Sequence, residues 1–331
     1  PEVDKMVKTD DGDYYGFPFL RGDDYLMVYQ GPIVRKDWLD DLGLKIPETI
    51  DDWTVMLRAF KAKKGATAPY VHFSGSYGDW NYAAIVGAHN TQRTWYVDNG
   101  KVKYGPAEPQ FKDFVTRMAG WYKEGLLDPN IFLTDPKTRD SLFTTGKAGA
   151  TIANTGGGIG YLTRLMAEKD PKAIFVAAPH PVLKRGDKPQ FGQRDLPFNK
   201  MVFAISARSK NVETAVRYLD YGYSAEGAMY FNFGEPGVSY TMINGYPTYS
   251  ELITKNPKLS MGAIMPDHIR GNYGGPFIQD KRYMEQYANL PEQRDALKIW
   301  AATDMATHLL PRVSPLPEES NEMSKIMAEV N

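Results

Sequence analysis

The sequence predicts an α/β fold. Strand-like and helix-like segments alternate through the first two-thirds of the chain, as they do when helices pack on a sheet. Hydrophobic residues make up 42% and aromatics 13%, enough for 331 residues to bury more than one core. A short apolar run, "GATIAN" (149–154), meets "TGGGIG" and then a helix-like segment. In open α/β sheets, ligands sit where a strand ends at such a junction.

The elements follow from local chemistry. Residues 11–19, "DGDYYGFPF", read as a turn and then a strand. "YLMVYQGPIVRKDWLDDLGL" reads as strand, turn and short helix stopped by Gly43. Thr49–Lys63 is predicted helical, capped by Thr49 with Asp52 three residues on, and with Trp53, Met56, Leu57 and Phe60 on one face. Residues 79–88 look helical, and 95–105 read as a hairpin with Asn-Gly at its turn. Pro109–Leu126 is predicted as a helix with Phe111, Phe114, Val115, Met118 and Tyr122 in one stripe. A further helix runs from Asp135 to Thr145, ended by Gly146. Strands follow at 149–154, in "AIFVAAP" and at 199–209, with the helix "IGYLTRLMAE" between the first two. "NVETAVRYLDYGYSAEGAMYFNFG" reads as a helix pair with Val212, Ala215, Val216 and Leu219 facing inward. Beyond 247 the chain reads as helix and loop.

Composition removes several functions. Net charge is −1 from 39 basic and 40 acidic residues, without the excess that a nucleic-acid footprint requires. With no cysteine, disulfides, thiolate catalysis and cysteine-ligated metals are out. No apolar run approaches a membrane span, and these residues include no signal peptide. Both ends are expected to be trimmed.

The glycine stretch resembles a phosphate loop only at first sight. Gly146-Lys147 is followed by Ala148, which offers no hydroxyl to Mg²⁺. Gly156, Gly158 and Gly160 make GxGxG, one residue short of the dinucleotide fingerprint, with no acidic residue about 20 positions on. Two readings remain: a tight turn with no ligand, or bare backbone that a ligand approaches. The 21 Tyr, 15 Phe and 6 Trp likewise fit either a large core or a surface that stacks sugar rings.

Several stretches in order, among them "YYGFPF", "VRKDWLDDLGLKIPETIDDW", "WYKEGLLDPNIF", "LFTTGKAGATIANTGGG" and "ISARSKNVETAVRYLDYGYSAEGAMYFNFGEPGVSY", span about residues 14 to 250. Together they resemble the extracellular solute-binding proteins of bacterial ABC sugar importers, the maltose-binding-protein-like class, in its large lipoprotein oligosaccharide-binding branch. The resemblance implies a two-lobed periplasmic-binding-protein-like fold (type II) whose lobes are joined by crossing hinge strands. It assigns 1–19 and 204–245 to the remainder of lobe one, 20–195 and 246–331 to lobe two, and 196–203 to the return hinge strand. It also implies a monomeric cell-surface lipoprotein that hands a carbohydrate to ABC permease subunits and uses no cofactor. Some relatives carry a calcium loop after the helix matching 49–63. Here that place reads "KAKKGATAPY", without carboxylates, so no metal is expected there.

Candidate ligand contacts follow from placement. Arg21, Asp23 and Asp24 come just after the first crossing strand, and Arg194 and Asp195 just before the second; the alternative is a solvated loop. Arg21 with Arg194 would suit a uronate, because guanidinium pairs bidentately with carboxylate. Asn154, Thr155 and Gly156 would reach the cleft floor, with Gly156 or Gly157 where relatives often place a Trp. Trp80 and Trp95 are stacking candidates against a core role, while Trp38, Trp53, Trp121 and Trp300 read as core. Tyr240 and Tyr273, in Gly-rich loops, are weaker candidates.

The resemblance implies a transporter's binding receptor for an oligosaccharide, neutral or acidic, and not an enzyme. The rivals are a polysaccharide-active enzyme and a sensor or adhesion receptor on the same fold. No motif marks the carboxylate pair that a glycosidase needs. The five histidines (72, 89, 180, 268, 308) lack HExxH spacing.

Overall fold

The computed structural model describes residues 2–9, 11–72, 83–256, 259–271, 274–311 and 317–330. Ten strands form two three-stranded sheets and two hairpins among these residues. The first sheet has β1 (Phe17–Arg21) at its centre, antiparallel to β7 (Phe198–Phe203) and parallel to β10 (Ile278–Gln279). Pro18 cannot donate to a ladder, and the β1–β7 register shifts between Pro18 and Leu20. The second sheet has β2 (Gln30–Arg35) between β5 (Ala150–Asn154) and β6 (Phe175–Ala177), both antiparallel to it.

β2 is buried along its whole length, because helices cover both faces of its sheet. Val34 faces a cluster with Trp38, Trp53, Phe60 and Trp121. Ile33, one residue earlier and so on the opposite face, joins Phe143, Phe175 and Trp300. The four tryptophans read as core are all buried. Gly31 sits in this strand because Trp300 lies against it: a Cβ there would be 2.4 Å from the indole Cδ1, and Trp300 Nε1 donates to the Pro32 carbonyl at 3.3 Å. Gly31→Ala is expected to cost about 1–3 kcal/mol by overpacking, read as a lower urea midpoint at unchanged slope.

The predicted helix at 49–63 forms as Ile50–Lys64. Thr49 Oγ1 accepts from the Asp52 N–H at 3.1 Å, the Asp52 carboxylate accepts from the Thr49 N–H at 2.9 Å, and Gly65 ends the helix at φ 67°. The predicted hairpin forms as β3 (Trp95–Asp98) and β4 (Lys101–Tyr104), with Asn99 and Gly100 both at positive φ.

Two expectations change. In the helix Pro109–Lys123 the buried pair is Phe114 and Trp121, while Val115 and Tyr122 are about half exposed. Trp121 donates to Thr54 Oγ1 at 3.0 Å, and that bond turns the helix so that part of the predicted stripe faces solvent. The helix Val212–Asp220 buries nothing: Val212 and Val216 are exposed, because among the described residues it is held at its C-terminal end by the turn Tyr221–Tyr223. The hairpin of β8 (Tyr240–Ile243) and β9 (Tyr246–Tyr249) spans positions 245 and 246. A third core joins Phe233 and Tyr240 to Tyr249, Ile253, Met265 and Tyr283.

Candidate functional site

β5 ends at Asn154, and Thr155–Gly160 then make a wide turn of π-helical geometry that leads into the helix Tyr161–Met166. This turn forms one wall of a cleft of about 690 Å³. The helices Met261–Ile264 and Lys281–Tyr287 form the facing wall. Arg21, from the end of β1, and Tyr29 also line it.

The glycines have separate reasons to be glycine. A Cβ on Gly156 would lie 2.0 Å from the Tyr287 ring, and one on Gly160 would lie 2.7 Å from Gln293 Nε2. These two glycines let the turn pack on its neighbours. A Cβ on Gly157 would meet nothing within 4 Å, so Gly157 leaves open space in the cleft. Gly156→Ala is expected to cost about 1–3 kcal/mol and Gly157→Ala less than about 0.5 kcal/mol, compared by thermal melts of the two variants.

Gln293 fixes the turn. Its Nε2 donates to the Thr155 carbonyl at 3.0 Å, its Oε1 accepts from the Leu290 N–H at 3.0 Å, and Thr155 Oγ1 donates to the Gln293 carbonyl at 3.1 Å. The buried Oδ1 of Asn154 has no hydrogen-bond partner among the described residues. A buried acceptor left without a donor is costly, and this one belongs to a cleft-lining residue.

Arg21 is held firmly. Its Nε and Nη2 donate to Asp195 Oδ2 at 2.9 and 2.5 Å, and Nη1 donates to Gln279 Oε1 at 2.9 Å. The Asp195 side chain is fully buried and that of Arg21 is 11% exposed. The guanidinium also lies 5.1 Å from the Tyr29 ring centre, within cation–π range. Tyr161 donates to Asp140 at 2.6 Å; burial and that carboxylate push its phenol up to about 12, so it stays neutral.

The cleft thus gathers Arg21, Asn154, Thr155 and Gly156, with Asp195 directly behind Arg21. Other candidates lie elsewhere. Arg194 pairs with the exposed Asp24 at 3.1 Å, outside the lining, because the chain turns its side chain away from that of Asp195. The carboxylate of Asp23 caps the short turn Asp24–Leu26 and pairs with Lys281 at 3.5 Å. Trp95 is exposed on its hairpin beside Tyr104, 4.8 Å between ring centres, and does not line the cleft. Tyr240 is buried against Phe233 in the third core, where its apolar ring is worth more than in a loop. Trp80 and Tyr273 lie outside the described residues.

Sequence reasoning missed Tyr29, Arg164, Gln279, Tyr287 and Gln293, all of which line the cleft. Arg164 had a local signal, one helical turn after Gly160. Gln279 and Gln293 had none, since only the packing of distant segments brings them here.

A family model described as bacterial extracellular solute-binding protein matches residues 1–229. Lipoprotein LipO of Bacillus subtilis (strain 168) is 26% identical over 272 residues, covering 76% of this chain and 52% of that protein. The fructooligosaccharide ABC transporter substrate-binding protein FusA of Streptococcus pneumoniae serotype 4 is 23% identical, covering 100% of this chain and 63% of that protein. The chain therefore spans only about half to two-thirds of the length of these relatives. The solved structure of the alginate-binding protein AlgQ2 without calcium ion superposes with a TM-score of 0.75 at 26% identity, covering 95% of this chain and 63% of that one. The architecture is that of the two-lobed α/β solute-binding proteins.

Proposed function

The chain belongs to the bacterial extracellular solute-binding protein family, and from that premise we propose that its cleft captures a carbohydrate for an ABC importer. The observation that carries this reading is the cleft itself: its lining holds the bare backbone of Gly157, the tyrosines 29 and 287, and Arg21 and Asn154 as polar groups. Aromatic faces take the apolar face of a sugar ring, and planar polar groups take its hydroxyls. The printed names of FusA and AlgQ2, a fructooligosaccharide and an alginate binder, support the ligand class.

In this reading the described cleft is the second lobe's share of the binding site, and β1 and β7 are the crossing strands about which the first lobe closes over it. The ligand shifts an open–closed equilibrium, and the permease recognises the closed form. The receptor acts as a monomer held to the cell surface by a lipid anchor, the last supported by the lipoprotein relative. It performs no chemistry on its ligand. Glycoside hydrolysis calls for two carboxylates at the bond, and among the described residues no Asp or Glu lines the cleft.

The test is a thermal-melt screen against neutral and acidic oligosaccharides, repeated with Gly157→Trp. A sugar present at 100 times its Kd should add about 2.7 kcal/mol. The variant should melt like the parent without sugar and lose most of the shift with it. No shift with any sugar, or cleavage of a bound one, refutes the reading.

A further inference from the structure

The cleft carries an asymmetry of charge. Its lining holds two cationic side chains, Arg21 and Arg164, and, among the described residues, no carboxylate. The two arginines are not equivalent. Arg21 spends three donor positions on Asp195 and Gln279 and is neutralised by a buried carboxylate. Arg164, on the exposed side of the helix Tyr161–Met166, has no ion pair or hydrogen bond from its side chain among the described residues. Asp140, on the helix that packs against Tyr161–Met166 and outside the lining, is occupied by Tyr161 and Arg139. The unpartnered Oδ1 of Asn154, on the same wall as Arg164, calls for a donor.

We infer that Arg164 is a specificity-determining residue that selects an acidic sugar, a uronate whose carboxylate meets its guanidinium and whose hydroxyls supply the donor for Asn154. This rests on the carbohydrate-receptor reading above and goes further by naming the class of sugar and the residue that reads it. The chemistry is direct. Guanidinium presents paired N–H donors that match a carboxylate bidentately, which an ammonium does not. A cation already paired with a buried carboxylate adds little net attraction for an anion; one with no partner keeps its full charge for the ligand. Gly157 lies between Asn154 and Arg164 in sequence, and the absence of a side chain there keeps the wall open. The role anticipated for the pair Arg21 and Arg194 therefore passes to Arg164, because Arg194 is outside the lining and Arg21 is neutralised.

The experiment uses matched ligands on the whole chain. Trigalacturonate and trimannuronate are each titrated beside their carboxyl-reduced counterparts, which differ only by lacking the carboxylate. The parent should bind at least one acid about 10-fold more tightly than its reduced partner, since each tenfold is about 1.4 kcal/mol. That ratio should shrink as salt is raised. In Arg164→Gln the ratio should fall to about 1, and in Arg164→Lys it should be intermediate, because the charge stays while the fork is lost. Both variants alter an exposed side chain, and unchanged melting without ligand serves as the folding control. Equal binding of acid and reduced sugar overturns the inference and leaves the receptor reading standing. A strong acid preference that survives in Arg164→Gln overturns the assignment to Arg164. Binding of neither member of either pair overturns the inference, and a response to other sugars in the broader melt screen then decides whether the receptor reading falls with it.

Discussion

Asp195→Ala is expected to destabilise the protein by about 3–5 kcal/mol and to abolish ligand capture. Removing one member of a buried ion pair leaves the other charge without compensation, and that penalty exceeds the net worth of the pair. Here the charge left behind is Arg21, 11% exposed, between the rings of Phe19 and Tyr29. The carboxylate removed also accepts from Gln193 Nε2 and from the Tyr29 hydroxyl, each at 3.3 Å. It therefore ties the end of β1 to the segment entering β7 and to the cleft floor. Urea denaturation of Asp195→Ala, Arg21→Met and the double variant gives the decisive cycle. The double variant should recover much of the loss, since an apolar replacement of both partners leaves no stranded charge. A loss under about 1 kcal/mol in Asp195→Ala would show that Arg21 finds water instead, and that the pair does not hold the cleft.

Acid should destabilise this protein progressively between about pH 6.5 and 4. His180 and His72 are buried, and both are depressed from 6.5 to about 4. For His180 the cause is burial alone, and neither ring nitrogen has a hydrogen-bond partner among the described residues. For His72 burial comes first and the charge of Arg93 second. In the unfolded chain each takes up its proton near its ordinary value, while in the folded chain it resists until about pH 4. The unfolded state thus binds more protons throughout that window, and stability falls as pH falls through it. The contribution is intact above pH 6.5, lost progressively down to about 4, and constant below. For His180 alone the loss amounts to about 3 kcal/mol. Surface carboxylates whose values are lowered, such as Glu124 beside Arg58 and Asp304 beside Lys188, add their losses only at lower pH. Denaturation at pH 7, 5.5 and 4 measures the slope. His180→Gln, which cannot take up a proton, should flatten it by roughly half, and an unchanged slope would refute this account.

Much of this protein was legible in its sequence wherever short-range chemistry decides. Thr49 and Asp52 specify a helix start by reciprocal bonds three residues apart. Asn99-Gly100 specifies a hairpin because both residues accept positive φ. The four core tryptophans were marked by helical stripes, and the glycine burst marked the cleft wall, since few other patterns place so much bare backbone after a buried strand. The resemblance carried by the ordered stretches from 14 to 250 gave the family, which the match over 1–229 shows.

What the tertiary structure decided is which side chains meet across long separations. Arg21 and Asp195 are 174 positions apart, and Thr155 and Gln293 are 138 apart. No local pattern distinguishes Arg194, on the surface with Asp24, from Asp195, buried one residue later. Both lie in the irregular segment before β7, and only the neighbour that each side chain meets, Asp24 for one and Arg21 for the other, says which one matters. Gly156 and Gly157 read alike in sequence and differ because Tyr287 stands over one of them and open space over the other. Tyr240 shows the same effect: a tyrosine in a glycine-rich loop becomes core once Phe233 and Tyr249 close around it. The sequence by itself determined elements, turns, core tryptophans and family, because those depend on spacing along one segment. The charge balance of the cleft and the freedom of Arg164 depend on partners from distant segments, and only the folded chain brings those partners within bonding distance.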